Sequence, residues 1–302
     1  MIRPANFGFN SETAINNAFQ SESLEGEMEN IREQAIEEFD NMVDMMREAG
    51  IHVHVWQDTV QPIKPDAVFP NNWFSTIPNG SLLTYPMFAK NRRIERDPDI
   101  LDHIEQLFHV ERRYTFEHYE EEDLYLEGTG SMIIDHDEGV IYACLSPRTS
   151  IQLLDKMAIL AGYKMIVFNS VDADGMPIYH TNVMMALGVS DAVICLSSIP
   201  NENEKANLIK SIKSSGRDIC DISFQQMNQY AGNMIQLLDD QDDAVLIMSK
   251  QAYDSLHKDQ IRQLSKNSKI VAPDIKTIET YGGGSARCMI AEIFLEERDA
   301  IA

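Results

Sequence analysis

This chain has no long apolar run, little positive charge and few cysteines, and each shortage removes a class of function. No stretch approaches the ~20 apolar residues that cross a bilayer. The opening Met1-Ile2-Arg3-Pro4-Ala5-Asn6 also lacks the apolar segment of a signal peptide. Against 25 lysines and arginines stand 48 aspartates and glutamates, a formal charge of −23. Nucleic acids and anionic membranes are bound by basic surfaces, so neither is expected as a partner. The four cysteines, Cys144, Cys195, Cys220 and Cys288, are scattered without Cys-x-x-Cys spacing, which points to a reducing cytoplasm. His52 and His54 would share one face of a strand, yet no third ligand is in view, so they read as structural. The acidic run from Glu117 to Asp123 reads as a solvated loop. A length of 302 residues suggests two domains, but no Pro/Gly/Ser-rich linker divides the chain.

What the chain does have is a repeat, weak in letters and clear in pattern: strand, strand, helix, strand. The first unit runs through Asp66–Phe69, Ser81–Tyr85, a helix from Asp97 to Phe108, and Val110–Tyr114. Asp97-Pro98 makes a cap followed by a first-turn proline. The second uses Leu124–Glu127, Val140–Cys144, a helix from Thr149 to Ala161, and Lys164–Phe168. The third uses Ile178–Asn182, Ala192–Leu196, a helix from Asn201 to Ser214, and Asp218–Ser223. The fourth uses Gly232–Ile235, Ala244–Ile247, a helix from Gln251 to Ser265, and Lys269–Ala272. A fifth begins at Gly282 and finds its helix and strand at the other end of the chain. There, Glu25 to Ala49 carries Ile31, Ala35, Phe39, Val43 and Met46 on one stripe, and Ile51–Trp56 alternates. A repeat of about 50 to 60 residues signals a propeller or closed array. The expected architecture is therefore a single α/β domain over residues 1–302, with pseudo-fivefold units closed by joining the two ends.

The chemistry concentrates where these units begin. Cys144, Cys195 and Cys220 fall inside apolar strands, where a thiol acts as a small hydrophobe. Cys288 instead follows Gly282-Gly283-Gly284-Ser285-Ala286-Arg287. Glycines let backbone approach a ligand, and the Arg287 guanidinium would favour thiolate. By itself the segment reads equally as a glycine-rich turn before a buried strand. His180 by itself reads as a satisfied core residue. Together with Glu127, however, both open the first strand of a repeat, which in a closed ring aims them at one centre.

These segments resemble the pentein, or guanidine-modifying, superfamily, which includes arginine deiminases, dimethylarginine dimethylaminohydrolases and arginine:glycine amidinotransferases. The resemblance spans essentially the whole chain. It rests on the triple glycine before Cys288, on Leu126-Glu127-Gly128, on His180 and on Ser146-Pro147-Arg148-Thr149. It implies a five-bladed α/β propeller, Cys288 as nucleophile, His180 as general acid and base, Glu127 as a binder of substrate nitrogen, and Arg148 as a grip on an α-carboxylate. No metal or organic cofactor is implied. Relatives that use guanidines typically carry an aspartate where Asn72 stands, arginine deiminases have a histidine-x-aspartate where this chain has His180-Thr181-Asn182, and the family's Leu-Glu-Gly-Gly-Asp motif has a final acid where Leu126-Glu127-Gly128-Thr129-Gly130 ends in glycine. A buried cation needs opposing charge, whereas a neutral ureido group is answered by amides. Asn72 and Asn182 therefore favour citrulline, and the chain is most similar to the citrulline-utilisation hydrolases, which share Phe69-Pro70-Asn71-Asn72-Trp73, Glu127-Gly128-Thr129-Gly130 and Gly282–Cys288 in like form. Asn71, Arg287, Asp58, Asn233 and Trp73 are further candidates for the pocket. The alternatives are a hydrolase, deiminase or amidinotransferase acting on an arginine derivative, and a non-catalytic pentein like the ribosome anti-association factor. An exposed propeller face would also allow a homo-oligomer.

Overall fold

Four stretches of the chain fold into one small motif, because each supplies two short apolar strands, a helix and a third strand in that order. A computed structural model describes residues 1–14, 17, 19–21 and 28–298. Strands β1 (Ile2–Arg3) and β2 (Trp56–Gln57) pair in parallel with each other. The first motif then holds β3 (Phe74–Ile77), β4 (Ser81–Thr84) and β5 (Arg112–Thr115). The second holds β6 (Ile133–Asp135), β7 (Val140–Cys144) and β8 (Lys164–Phe168). The third holds β9 (Met185–Leu187), β10 (Asp191–Ile194) and β11 (Asp218–Asp221). The fourth holds β12 (Ile235–Leu238), β13 (Ala244–Ile247) and β14 (Lys269–Val271). In every motif the first two strands are antiparallel and the third lies parallel to the second.

A parallel partner requires a crossover, and helices supply it. These are Pro98–Leu107, Ile151–Ala161, Glu202–Ser214 and, in the fourth motif, Lys250–Ser255 with Lys258–Leu264. Their starts follow from capping chemistry. Asp97 accepts the Asp99 N–H, and Asn201 accepts those of Asn203 and Glu204. The one helix expected from Gln251 to Ser265 is broken in two, because Gln260 folds back to accept the His257 N–H and starts a second helix.

The expected first strands are displaced. Asp66–Phe69, Leu124–Glu127 and Ile178–Asn182 are not strands; each unit first makes a single helical turn, at Pro70–Asn72, Gly128–Ser131 and Thr181–Met184, and its strand follows. Side chains replace ladder bonds there. Thr181 Oγ1 donates to the Ser131 carbonyl at 2.6 Å and accepts the Cys144 N–H at 2.9 Å.

The fifth unit differs more. Its helix is present as Met28–Glu48, with Ile31, Ala35, Phe39, Val43 and Met46 buried as expected and Met42 beside them; residues 25–27 lie outside the described part. Full burial of such side chains is worth about 1.5–3 kcal/mol each. Ile51–Val55 forms no strand, and the glycine segment leads into a 3₁₀ turn, Ala286–Met289, in place of one. The fifth sheet is thus only β1 and β2, and five equal blades are not seen. Glu117–Glu122 is also no mere solvated loop, since Glu120 pairs with Arg96 at 2.6 Å and Arg93 at 3.2 Å. Among the described residues, no helix is long and apolar enough to cross a membrane.

Candidate active site

The single turns that precede the strands meet at one place. Cys288 lies in the turn Ala286–Met289, Asn72 in Pro70–Asn72, Glu127 and His180 at the starts of the next two turns, and Asn233 just before β12. The cysteine sulfur sits between two amides. Asn182 Nδ2 and Asn233 Nδ2 each donate to Cys288 Sγ at 3.3 Å. Asn233 is fixed in that orientation, since its Oδ1 accepts the Arg287 N–H at 3.0 Å and its Nδ2 also reaches the Asn182 carbonyl at 3.0 Å. Asn182 Oδ1, also buried, has no partner among the described residues.

Glu127 and His180 form the second part. His180 Nε2 and Glu127 Oε2 are 2.7 Å apart, while Glu127 Oε1 accepts the Phe88 N–H at 2.9 Å. Arg148 Nη1 stands 3.5 Å from the same Oε2, with its guanidinium 4.8 Å from the Tyr179 ring centroid and Nη2 on the Thr13 carbonyl at 3.1 Å. Burial pushes the Glu127 carboxyl up, but Arg148, the His180 bond and Arg92 overcome it and bring it to about 2. Burial holds the His180 imidazole below its ordinary value, although Glu127 pulls the other way. The resting pair at neutral pH is an ionised carboxylate beside a neutral imidazole.

Asn72 is set from behind. Arg92 Nη1 donates to Asn72 Oδ1 at 2.7 Å, and Asn72 Nδ2 donates to Asn71 Oδ1 at 3.0 Å. Arg92 is itself clamped by Glu95 at 2.9 and 2.8 Å. Two glycines let these turns come so close. A Cβ at Gly130 would fall 2.5 Å from Asn72 Nδ2 and 2.9 Å from His180 Nδ1, and one at Gly128, where φ is +47°, would strike the Asn71 carbonyl at 2.2 Å. An aspartate at position 130 cannot coexist with Asn72 as it stands.

Asp66, Asn72, Arg92, Arg148, Tyr179, His180 and Cys288 line one cavity with about 20 Å³ of free volume, together with Thr13, Asn17 and the three glycines. Asp66 Oδ2 accepts from Asn10 at 2.7 Å and its Oδ1 has no partner among the described residues. Burial raises its pKa against the pull of Arg92.

Not every expected residue joins. The Arg287 side chain points away, binding the Ile290 carbonyl and Glu292, each at 2.8 Å. In a turn of about three residues, neighbouring side chains diverge by about 120°, so Cys288 and Arg287 cannot face one cavity. Asp58 is paired with Lys64 at 2.7 Å, and Asn71 and Trp73 are buried outside the cavity lining. Burial pushes the thiols of Cys144, Cys195 and Cys220 up to about 11. Sequence reasoning missed Asp66, Arg92, Tyr179, Thr13 and Asn17. Asp66 was in view as the start of a supposed strand, and Arg92 fell between periodic segments.

Comparison with known proteins now has this geometry to stand on. The family described as N,N dimethylarginine dimethylhydrolase, eukaryotic, matches residues 3–295. No curated protein matches the chain significantly. Among solved structures, ArgZ, an arginine dihydrolase from the ornithine-ammonia cycle in Cyanobacteria, superposes with a TM-score of 0.73 at 16% identity over 96% of this chain, which spans only 39% of ArgZ. The N-terminal domain of ArgZ bound to substrate gives 0.70 at 15% identity, covering 96% of this chain and 95% of that domain. A dimethylarginine dimethylaminohydrolase adduct with 4-chloro-2-hydroxymethylpyridine gives 0.61 at 13% identity, with coverage of 85% and 90%. Such identities speak for the α/β fold. With the family match across nearly its whole length, the chain belongs to the family described as N,N dimethylarginine dimethylhydrolase, eukaryotic, within the pentein superfamily.

Proposed function

We propose that the protein is a cysteine-dependent hydrolase of a ureido amino acid, converting citrulline to ornithine, carbon dioxide and ammonia. One observation carries the choice of substrate: Arg92 draws the Asn72 Oδ1 toward itself, and of the two Nδ2 hydrogens one goes to Asn71 and the other is left to donate to a ligand. A ureido group meets that donor with its carbonyl oxygen, whereas a guanidinium has donors and no acceptor. Asn182 supplies the complement, its free Oδ1 accepting a ureido N–H beside Cys288. At the other end Asp66 opposes an α-ammonium and Arg148 an α-carboxylate.

In the reaction, His180 takes the Cys288 thiol proton and the sulfur attacks the ureido carbon. The Asn72 N–H holds the oxyanion. The C–N bond to the terminal nitrogen breaks and His180 returns the proton, so ammonia leaves and a thiocarbamate remains on Cys288. Water, deprotonated by His180, then attacks that carbon, and the C–S bond breaks. The carbamate released takes up a proton and loses carbon dioxide, leaving ornithine. Ionised Glu127 steadies His180 in both directions and stabilises its charged form, a positioning role where the family resemblance implied contact with substrate.

We infer also that the whole chain is one catalytic unit, a five-bladed propeller whose ends close the ring. Bonds between successive turns support this: Arg287 to Asn233, Asn233 to Asn182, Thr181 to Ser131 and Thr129 to Asn71. The turn at Pro70–Asn72 then abuts the one at Ala286–Met289.

A second reading, hydrolysis of an arginine-type guanidinium, is favoured by the two buried carboxylates, Glu127 and Asp66. Ornithine and ammonia release from citrulline and from arginine, with Cys288→Ala as control, separates the two. Ornithine from citrulline alone, lost in the control, is expected. Arginine consumed faster than citrulline sinks the ureido assignment.

A further inference from the structure

The nucleophile turn is joined to its helix by three glycines, which have no side chains to anchor it. Helix Lys276–Gly282 ends at Gly283, with φ at +63°, and the chain passes through Gly284 and Ser285 into Ala286–Met289. Side chains reach the glycines through their carbonyls. Gln20 reaches the Gly282 carbonyl, and Asn17 and Tyr179 reach that of Gly283, each at 3.1 Å. Between the helix and the turn, the first residue with a side chain is Ser285. Ser285 Oγ donates to Glu279 Oε1 at 2.6 Å, while the Ser285 carbonyl accepts the Cys288 N–H at 2.9 Å and closes the turn. Ser285 thus ties Glu279 to the residue that carries the sulfur.

Glu279 needs an explanation of its own. It is 2% exposed. The groups that face it are the hydroxyls of Ser249 and Ser285, the carboxyls of Glu38 and Asp274, and the phenol of Tyr230, whose hydroxyl also donates to the Glu279 carbonyl at 2.8 Å. None of these is a cation. Burial pushes its carboxyl up to about 7. An apolar side chain would fill the same space without the desolvation cost of a carboxyl. What only an oxygen-bearing side chain supplies is an acceptor for Ser285.

We propose that Glu279 is the positioning residue of the nucleophile, fixing Ser285 and through it the turn that aims Cys288 at the substrate carbon. The proposal rests on Cys288 being the nucleophile. A sub-ångström to ångström displacement of a reacting atom costs up to about 10²-fold in rate, so the loss appears in kcat while KM stays nearly constant.

The test compares Glu279→Leu, Glu279→Gln and Ser285→Ala in the full chain, measuring kcat and KM with citrulline and the alkylation rate of Cys288 by iodoacetamide in unliganded protein. Glu279→Leu and Ser285→Ala are expected to lose about tenfold or more in kcat and to slow alkylation similarly, with KM within about twofold. Glu279→Gln, which keeps a carbonyl acceptor, is expected to restore both to within about threefold, and the Glu279→Leu/Ser285→Ala double variant to be no worse than either single one. Should Glu279→Leu fail to fold, Ser285→Ala and Glu279→Gln carry the same comparison. Unchanged kcat or alkylation in Ser285→Ala, additive losses, or a Gln variant that loses as much as Ser285→Ala would overturn the proposal. Full turnover after complete alkylation of Cys288 would instead sink the nucleophile assignment on which it stands.

Discussion

The two ends of the cavity are built from different chemistry. At one end, the charged side chains of Asp66, Arg92 and Arg148 are packed against Glu95 and Glu127. At the other, Cys288 is surrounded by the neutral amides of Asn182 and Asn233, and Asn72 joins the two groups, since Arg92 donates to its Oδ1 at 2.7 Å. Charge at one end suits the zwitterionic head of an amino acid, and fixed amide dipoles at the other suit a neutral reacting group whose charge appears only in the transition state. Under the proposed function the division assigns substrate binding and bond breaking to separate residues, and variants should separate KM from kcat accordingly.

The largest effect belongs to the neutral end. Cys288→Ser is expected to reduce citrulline turnover by about four orders of magnitude or more while leaving the thermal midpoint nearly unchanged; ornithine release together with a melting curve checks both halves. Asn72→Asp comes next. Replacing the oxyanion donor by a carboxylate should cost about 10²–10³ in kcat, read from ammonia release, and should raise activity on arginine relative to citrulline. A variant that keeps wild-type kcat on citrulline would remove Asn72 from the mechanism. Asp66→Asn tests the charged end. Losing one charged contact worth about 1.5–3 kcal/mol should raise KM by about 10- to 150-fold with kcat little changed, and a fall in kcat instead would erase the proposed division.

How far this comparison was legible in the sequence differs between the ends. The repeat could be read because its strands are short and apolar and its helices carry caps such as Asp97 and Asn201. Cys288, His180 and Glu127 stood out because each opens a unit, Asn72, Asn182 and Arg148 because of the family resemblance, and the structure brings these residues together. The charged end was hidden. Arg92 lies in an irregular 3₁₀ segment, Lys90–Glu95, that has no apolar period to place it, and Asp66 looked like one residue of a strand. Direction was also beyond a linear reading, since Arg287 adjoins Cys288 in sequence and turns its guanidinium toward Glu292. The amide substitutions were visible as letters, yet which atom of Asn72 faces the cavity depends on Arg92.

The pH dependence of stability sharpens the comparison further, because Glu127 of the charged end is bonded to His180. Glu127 has a folded pKa of about 2 against 4.5 when free. Its contribution to stability is therefore fully present above about pH 4.5 and is lost as the pH falls toward 2. His180 acts in the same direction, since a pKa held below 6.5 means that the unfolded chain takes up the proton first as the solution is acidified. Urea midpoints followed from pH 7 downward should fall for the wild type and fall less steeply below pH 4.5 for Glu127→Gln. Parallel curves would mean that Glu127 is not held ionised by Arg148 and His180.

The smallest effect is expected where sequence proximity most suggested a large one. Arg287→Lys removes the guanidinium next to Cys288, but that group faces Glu292 and the Ile290 carbonyl on the far side of the turn. Its backbone N–H, which orients Asn233 against the sulfur, is untouched by the substitution. Citrulline kcat/KM should therefore stay within about threefold, and any loss should appear as a lowered thermal midpoint, since lysine cannot reproduce the paired geometry. A loss of 10²-fold at unchanged stability would mean that the guanidinium acts on the thiolate, and that the amides of Asn182 and Asn233 do not suffice to hold it.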